Sequence, residues 1–491
     1  MQEPHAGRAG PPEAVYIVGA GIAGLAAAAR LQASGWPVVV LEARARLGGR
    51  IWTERSWGDV AVDLGASWIH GIRGNPLAVL VRRWQIPTCA TDYEGMTHFY
   101  AADGTRLAPR EYARLHSRFE QLLDEMEERR AALVQDHALG SVLEQAMARQ
   151  SLSERQRQHL RHYVHTMIEQ DYGTEVGNLS LWHWDEWHAM PGVHVIFPQG
   201  YDQLIEHLAQ GIEVKLEHLV QQIACHDTGV QLSTNRGTFV AARVIVTVPL
   251  GVLQRGNIRF VPPLPPSKTA AIQRLRMGVL NKLYLRFPAR FWPAASEWLE
   301  YSGAAPWVEF FNLGKYLDKP LLVGLSVGER GRALEQDSDQ ANVAAAMRVL
   351  RTIYGASIPD PIAWRMTRWD ADPLAAGAYL TIPPGASGAD CDALAEPIGE
   401  RLLFAGEATQ RWDYGTVHGA FWSGEQAARR LLEPESAAWV ASRQSPVYHV
   451  SPACMNAQEI PSKNRICGPA AQQGRRPHAG CPHRVKTPLP A

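Results

Sequence analysis

Gly19-Ala20-Gly21-Ile22-Ala23-Gly24 is the stretch that decides how this chain reads. The apolar run Ala14-Val15-Tyr16-Ile17-Val18 leads into it, and a helix-prone stretch, 25–31, follows. A second apolar run, Val38-Val39-Val40-Leu41, ends on Glu42. Strand, glycine turn, helix, strand and acid in this order form the pattern of a Rossmann-type dinucleotide site. The glycines permit a tight turn and let backbone approach a pyrophosphate. The helix N-terminus offers N–H groups to that anion. Glu42 suits a ribose diol and repels a 2′-phosphate. Past Glu42, Ala43-Arg44-Ala45-Arg46-Leu47-Gly48-Gly49-Arg50 adds three arginines and a glycine pair. Arginine here reaches phosphate, and the paired glycines let backbone pass close to a flat ring.

Working outward, β-type segments return at 213–216, 229–232 and 243–249, and again at Leu402-Leu403-Phe404-Ala405-Gly406-Glu407. A helix is expected from about 419 to 432. Nucleotide-type segments thus fall into three pieces, 14–75, 213–260 and 398–433. The intervening pieces, 76–212 and 261–397, are expected to form a substrate-binding domain. Within the first of these, Leu115, Phe119, Leu122, Leu123 and Met126 recur at helical spacing. The predicted class is α/β, a Rossmann-type domain interleaved with an α+β substrate domain. Residues 1–13 read as a loose arm. The tail, 436–491, carries seven Lys and Arg against one acid and few aliphatic residues, so disorder is expected there.

With 491 residues the chain exceeds one ordinary core. Formal net charge is zero and charged residues make up 20%, so bulk electrostatics do not favour nucleic acid. The six cysteines include no C-x-x-C pair, which argues against a zinc site or redox pair. No apolar run reaches membrane-spanning length, the start lacks the apolar core of a secretory signal, and a cytoplasmic protein is the expectation. His159, His162 and His165 share a three-residue step without a carboxylate at a ligand offset. They read as a packed or solvated face rather than a metal site.

Several separate motifs carry a resemblance. They are the first glycine turn with its extension to Arg50, Asp63-Leu64-Gly65-Ala66-Ser67-Trp68-Ile69-His70-Gly71, Asn281-Lys282-Leu283, Arg368-Trp369-Asp370, and Gly406-Glu407 followed by Gly415-Thr416-Val417-His418-Gly419-Ala420. From 14 to about 432 the chain resembles the flavin-containing amine oxidases, on the side of polyamine oxidases and lysine-specific histone demethylases. The resemblance implies FAD, held by Gly19, Gly21, Ala23, Gly24, Glu42, Arg44, Gly48, Gly49, Arg50, Gly65, Ala66, Ser67, Trp68, Val220, Trp369, Gly406, Glu407, Thr416 and Val417. Lys282 is implied to hold a water beside flavin N5. His70 stands at the mouth of the substrate site and Tyr379 forms one wall of an aromatic slot. Thr416 takes the place where monoamine oxidases have a second tyrosine. Segment 374–381 has no cysteine, so the FAD is expected to be non-covalent. Glu186 is a candidate anchor for a distal ammonium, alongside Asp185, Glu169 and Asp171.

The implied reaction is oxidation of polyamines or related secondary amines by hydride transfer to flavin N5, with imine hydrolysis and reduction of O2 to hydrogen peroxide. The alternatives are an L-amino-acid oxidase, another flavin monoamine oxidase, or a non-catalytic flavoprotein scaffold. Trp68 stands where amino-acid oxidases carry an arginine, and Arg73 is the nearest substitute. For a histone demethylase, the chain is expected to lack room for that group's long helical insertion.

Overall fold

A computed structural model describes residues 14–92, 95–186 and 189–433, together with the backbone of four short strands, Val440–Ser442, Val447–His449, Arg465–Cys467 and Arg476–Pro477. The arm 1–13 and the rest of the tail lie outside the described residues, and with them the expectations for those segments.

Three distant pieces of sequence meet in one parallel sheet of five strands. The order is Leu402–Phe404, Arg243–Val246, Val15–Val18, Val38–Leu41 and Glu213–Lys215. Val15, Ile17, Val40, Ile245 and Leu403 are buried in one layer of the core. Buried on both faces, such strands read as continuous aliphatic runs rather than alternating ones. The alanine-rich helix Ile22–Ala33 lies against this layer. It ends at Gly35, whose φ of +80° suits the αL turn after a helix. The helix Val417–Leu432 packs on it so closely that a Cβ at Gly424 would meet the Ala23 carbonyl oxygen at 2.0 Å.

Most of the region 213–260 leaves this sheet. Val220–His226, Gly229–Thr234 and Gly237–Ala241 form a separate sheet with Arg259–Val261. A third sheet orders Ala363–Met366, Leu280–Arg286, Leu321–Val327, Glu309–Phe311, Trp298–Tyr301 and Thr97–Tyr100. Its outer face packs on Asp339–Tyr354 through Leu283, Leu285, Phe310, Leu322 and Leu350. Alternation puts Lys282 and its cross-strand partner Leu325 on the other face. Pro109–Ala132 buries Leu115, Phe119, Leu122 and Met126, the face its spacing predicts. No helix among the described residues is long and apolar enough to cross a membrane.

Candidate active site

A cavity of about 1120 Å³ lies where the parallel sheet meets the six-stranded one. Of the candidates singled out from sequence, Gly24, Arg73, Glu169, Asp185 and Glu186 do not line it. The other cofactor and substrate candidates do, from Gly19, Gly21 and Ala23 to Val417.

The first part of the wall is largely backbone. Gly21 is the N-cap of Ile22–Ala33 and makes no side-chain cap, so the first N–H groups of the helix are left for a ligand. A Cβ on Gly21 would meet nothing within 4 Å, because that side opens on the cavity. Gly19 holds φ at +109°. Gly24 serves from behind: a Cβ there would stand 2.0 Å from the Gly19 oxygen, so only glycine lets the helix press on the turn. Glu42 is 6% exposed and accepts from Ala20 N at 2.7 Å and Arg44 N at 2.8 Å. Gly406, at φ +133°, follows the strand Leu402–Phe404 and opens the same way.

Arg44 and Arg50 line the cavity and are also paired within the protein. Arg44 Nη2 lies 2.9 Å from both carboxylate oxygens of Asp372. Arg50 Nη1 donates to Glu407 Oε1 and to the Ala378 oxygen, each at 2.8 Å. These ion pairs also brace the cavity wall across distant segments of the chain. Glu407 is likewise engaged, accepting from Gly415 N at 2.9 Å and Leu380 N at 3.3 Å besides Arg50. These bonds tie the second glycine segment to the slot around Tyr379.

The remaining wall is side chain. Lys282 is 5% exposed. Its Nζ donates to Gly65 O at 2.6 Å, Ser67 Oγ at 2.5 Å and Asp63 O at 3.1 Å. Burial pulls its pKa below the usual 10.5, opposed by the Asp63 carboxylate nearby. Three oxygen acceptors also favour the ammonium form. Asp63 is itself buried, which raises its carboxyl above 3.8 although Thr53 Oγ1 and Tyr201 N donate to it. Tyr284 OH donates to the Asp63 oxygen at 2.5 Å. The close pass of Gly65 is obligatory, since a Cβ there would overlap the Arg50 oxygen at 1.7 Å.

Tyr379 stands between Gly173 and Gly415, where added Cβ atoms would meet its ring at 3.2 and 3.6 Å. Its hydroxyl donates to Gln170 O at 2.8 Å, and burial pushes its pKa well up. Trp369 is 5% exposed, fixed by Nε1 donating to Leu64 O at 3.3 Å and by the Trp52 ring edge-on at 6.3 Å. Thr416 lines the cavity, but its hydroxyl caps the helix Val417–Leu432. Oγ1 accepts from Gly419 N at 3.0 Å and donates to Asp413 O at 2.7 Å. The helix therefore begins two residues earlier than expected.

Glu186 stands outside the cavity. His183 Nδ1 is 2.9 Å from its carboxylate, and Arg411 approaches to 3.9 Å. Arg73 is outside too, its N–H donating to Pro191 O. The structure adds His194 and Gln170 to the wall and places Asp171, a candidate from sequence, there as well. The histidine triplet is buried elsewhere, with His162 3.3 Å from Glu300 and His165 2.7 Å from Glu169.

A nucleotide cradle built of open glycines and a buried acid, joined to a lysine- and aromatic-lined chamber, is the arrangement of a flavoprotein of the oxidoreductase class. The chain matches the family described as flavin containing amine oxidoreductase over residues 22–432, and it belongs to that family. It is 36% identical over 447 residues to a protein of Oryza sativa subsp. japonica named lysine-specific histone demethylase 1 homolog 1, covering 86% of this chain and 52% of that one. It is 34% identical over 448 residues to protein FLOWERING LOCUS D of Arabidopsis thaliana, covering 87% and 56%. Polyamine oxidase 2 of the same plant is 33% identical over 442 residues, covering 85% and 89%. The chain thus spans about half the length of the demethylase-named relatives it matches.

FAD is the cofactor of this family, and the residues fit it. Gly21 and Gly406 leave open the space a Cβ would fill. Glu42 sits beside the turn, and the cavity is long enough to continue from there to Lys282 and Tyr379. Among the described residues the three cysteines, Cys89, Cys225 and Cys391, do not line the cavity.

Proposed function

We propose that this protein oxidises polyamines or related secondary amines at a carbon next to nitrogen, giving an imine that water hydrolyses. The carrying observation is that Lys282, Tyr379 and His70 face one cavity together with the glycine cradle. FAD, cradled without a covalent link by Gly19, Gly21, Glu42 and Gly406, would supply the two-electron acceptor, with O2 as the terminal oxidant. The chain's own residues do the rest. Tyr379, locked through Gln170, presents a fixed aromatic face, and a cation over such a face gains about 0.5–2 kcal/mol. That orientation supplies the proximity term. Lys282 holds a proton beside Ser67 and the Gly65 carbonyl, where it steadies developing negative charge and exchanges protons with water. Asp171 puts a carboxylate on the same wall, which suits a second ammonium. Arg73 lies off the cavity, which speaks against recognition of an amino-acid carboxylate.

A second reading rests on the relatives named as lysine-specific histone demethylases. In it, a methylated lysine side chain takes the place of the polyamine. Anaerobic mixing of the FAD-loaded protein tests both. The panel is spermine, spermidine, their acetylated forms, a monoamine, leucine and a dimethyl-lysine histone H3 tail peptide. Bleaching of the flavin by a polyamine, with recovery in air and peroxide release, is the expected result. Bleaching by the peptide alone moves the assignment to the second reading. Bleaching by leucine alone overturns both.

A further inference from the structure

His70 and His194 are 124 positions apart, yet the fold sets them face to face. Trp68–Ile69 and His194–Ile196 pair antiparallel, with Trp68 opposite Ile196 and Ile69 opposite Val195. One step further along this register brings His70 opposite His194, on the same side of the ribbon. Their Nδ1 atoms are 3.1 Å apart, with ring planes at 71°. Trp68 stacks on His70 at 6.1 Å, and both histidines line the cavity.

Two ring nitrogens at that distance share one hydrogen. One ring then carries Nδ1–H and a lone pair on Nε2; the other carries Nε2–H. Among the described residues, the titratable and charged groups facing His70 are His194 on the paired strand, Lys282 on Leu280–Arg286, and His418 on Val417–Leu432 with Asp413 3.4 Å from it. Desolvation among the cavity walls, with these neighbours, pushes the His70 pKa down, although its ring is open to the cavity. His70 is therefore a poor place to leave a charge. An alkylammonium, with a pKa near that of lysine at about 10.4, arrives protonated at neutral pH and must shed a proton before its carbon can lose hydride.

We propose that His70 and His194 form the relay that takes this proton. The substrate N–H breaks as His70 Nε2–H forms. In the same event the His70 Nδ1–H bond breaks and His194 Nδ1–H forms, leaving His70 neutral and His194 an imidazolium. His194 thereby fixes the tautomer in which His70 accepts. This inference rests on the amine-oxidase reading given above.

His194→Gln tests it, with His70→Gln as a second variant and retained FAD as the check on folding. Amine-driven bleaching is followed by stopped flow from about pH 6 to 10. At pH 7 His194→Gln is expected to be about 10²-fold slower, the low end of lost acid–base assistance. The deficit shrinks towards nothing near pH 10, where the amine sheds its proton unaided. A deficit equal at every pH, or none, overturns the relay. Nitrogen-15 histidine spectra of the cofactor-free chain give an independent reading. One ring of the pair protonated at Nδ1 and the other at Nε2 is the expected pattern; both protonated at Nε2 overturns the shared hydrogen. If no amine bleaches the unaltered protein, the functional reading fails and the relay falls with it, whereas the spectra still judge the pairing.

Discussion

Around Gly21 and Gly406 the cavity wall is bare backbone, whereas around Lys282 it is side chains held chiefly by backbone carbonyls. The cradle binds by the absence of atoms: each glycine is there because something must come close. The chamber around Lys282 works by the reverse principle. A buried ammonium sits against three oxygens, a tyrosine is clamped between two glycines, and two histidines bring their Nδ1 atoms to 3.1 Å. The cradle tolerates no added atoms. The chamber tolerates altered shape far better than altered protonation.

The largest effect tests the first principle. Gly24→Val would drive a side chain into the Gly19 oxygen, which an added Cβ already meets at 2.0 Å. Overpacking of this kind costs about 1–3 kcal/mol in a well-packed core. Here it also displaces the turn that faces the nucleotide, so the variant is expected to purify without yellow colour. Flavin absorbance per mole of protein checks this, and normal FAD content would break the account of the cradle. Lys282→Met comes next and tests the second principle. It keeps the volume of the chamber and should retain FAD, but flavin reduction, reoxidation or both should slow by about 10²–10⁴-fold. Unchanged rates in stopped flow would remove Lys282 from the chemistry.

The contrast also explains what sequence reading could and could not reach. The strand Val15–Val18, the glycine turn and Glu42 are neighbours in sequence, so spacing and composition reveal them. Four strands of the five-stranded sheet were legible for the same reason, since each is mainly an apolar run, whereas the edge strand Glu213–Lys215 alternates. The partners of the chamber are not local. Asp372 and Glu407, which pair with Arg44 and Arg50, lie 328 and 357 residues away from them, so sequence reading did not reach those ion pairs. Ser67 and Gly65 reach Lys282 across more than 200 residues. His194 gave no signal of its own, because only antiparallel register sets it opposite His70. Thr416 was read as part of the slot because Gly415-Thr416-Val417 matched a motif; a threonine three residues before a small helical residue is also the mark of an N-cap.

A smaller effect separates anchoring from chemistry in the slot. Tyr379→Phe keeps the ring but removes the donor to Gln170 O. A lost hydrogen bond of this kind costs about 0.5–1.5 kcal/mol net. The expected outcome is a modest fall in the urea midpoint and a KM raised several-fold with kcat nearly kept, because the aromatic face remains but is less well held. A kcat loss as large as that of Lys282→Met would place the phenol in proton transfer and blur the distinction between orienting and reacting groups.

The subtlest effect concerns stability against pH in the cofactor-free chain. Lys282 has a folded pKa below its unfolded 10.5 because burial disfavours the ammonium. Between those two values the unfolded chain binds more protons than the folded one, so stability rises with pH across that window. Asp63 runs the other way. Its carboxyl is raised above 3.8 by burial, so its contribution is fully present below 3.8 and is lost as pH climbs through the folded value. Lys282→Met deletes the first slope. It also removes the cation that holds Asp63 down, which extends the second to higher pH. Urea midpoints from about pH 5 to 10 therefore give a difference, unaltered protein minus variant, that climbs at the alkaline end, by about 1.4 kcal/mol for each unit of pKa shift. A level difference there would mean that Asp63 O, Gly65 O and Ser67 Oγ hold the ammonium as firmly as water does. Desolvation would then not govern the chamber, and Lys282 would stay charged throughout the working range of the enzyme.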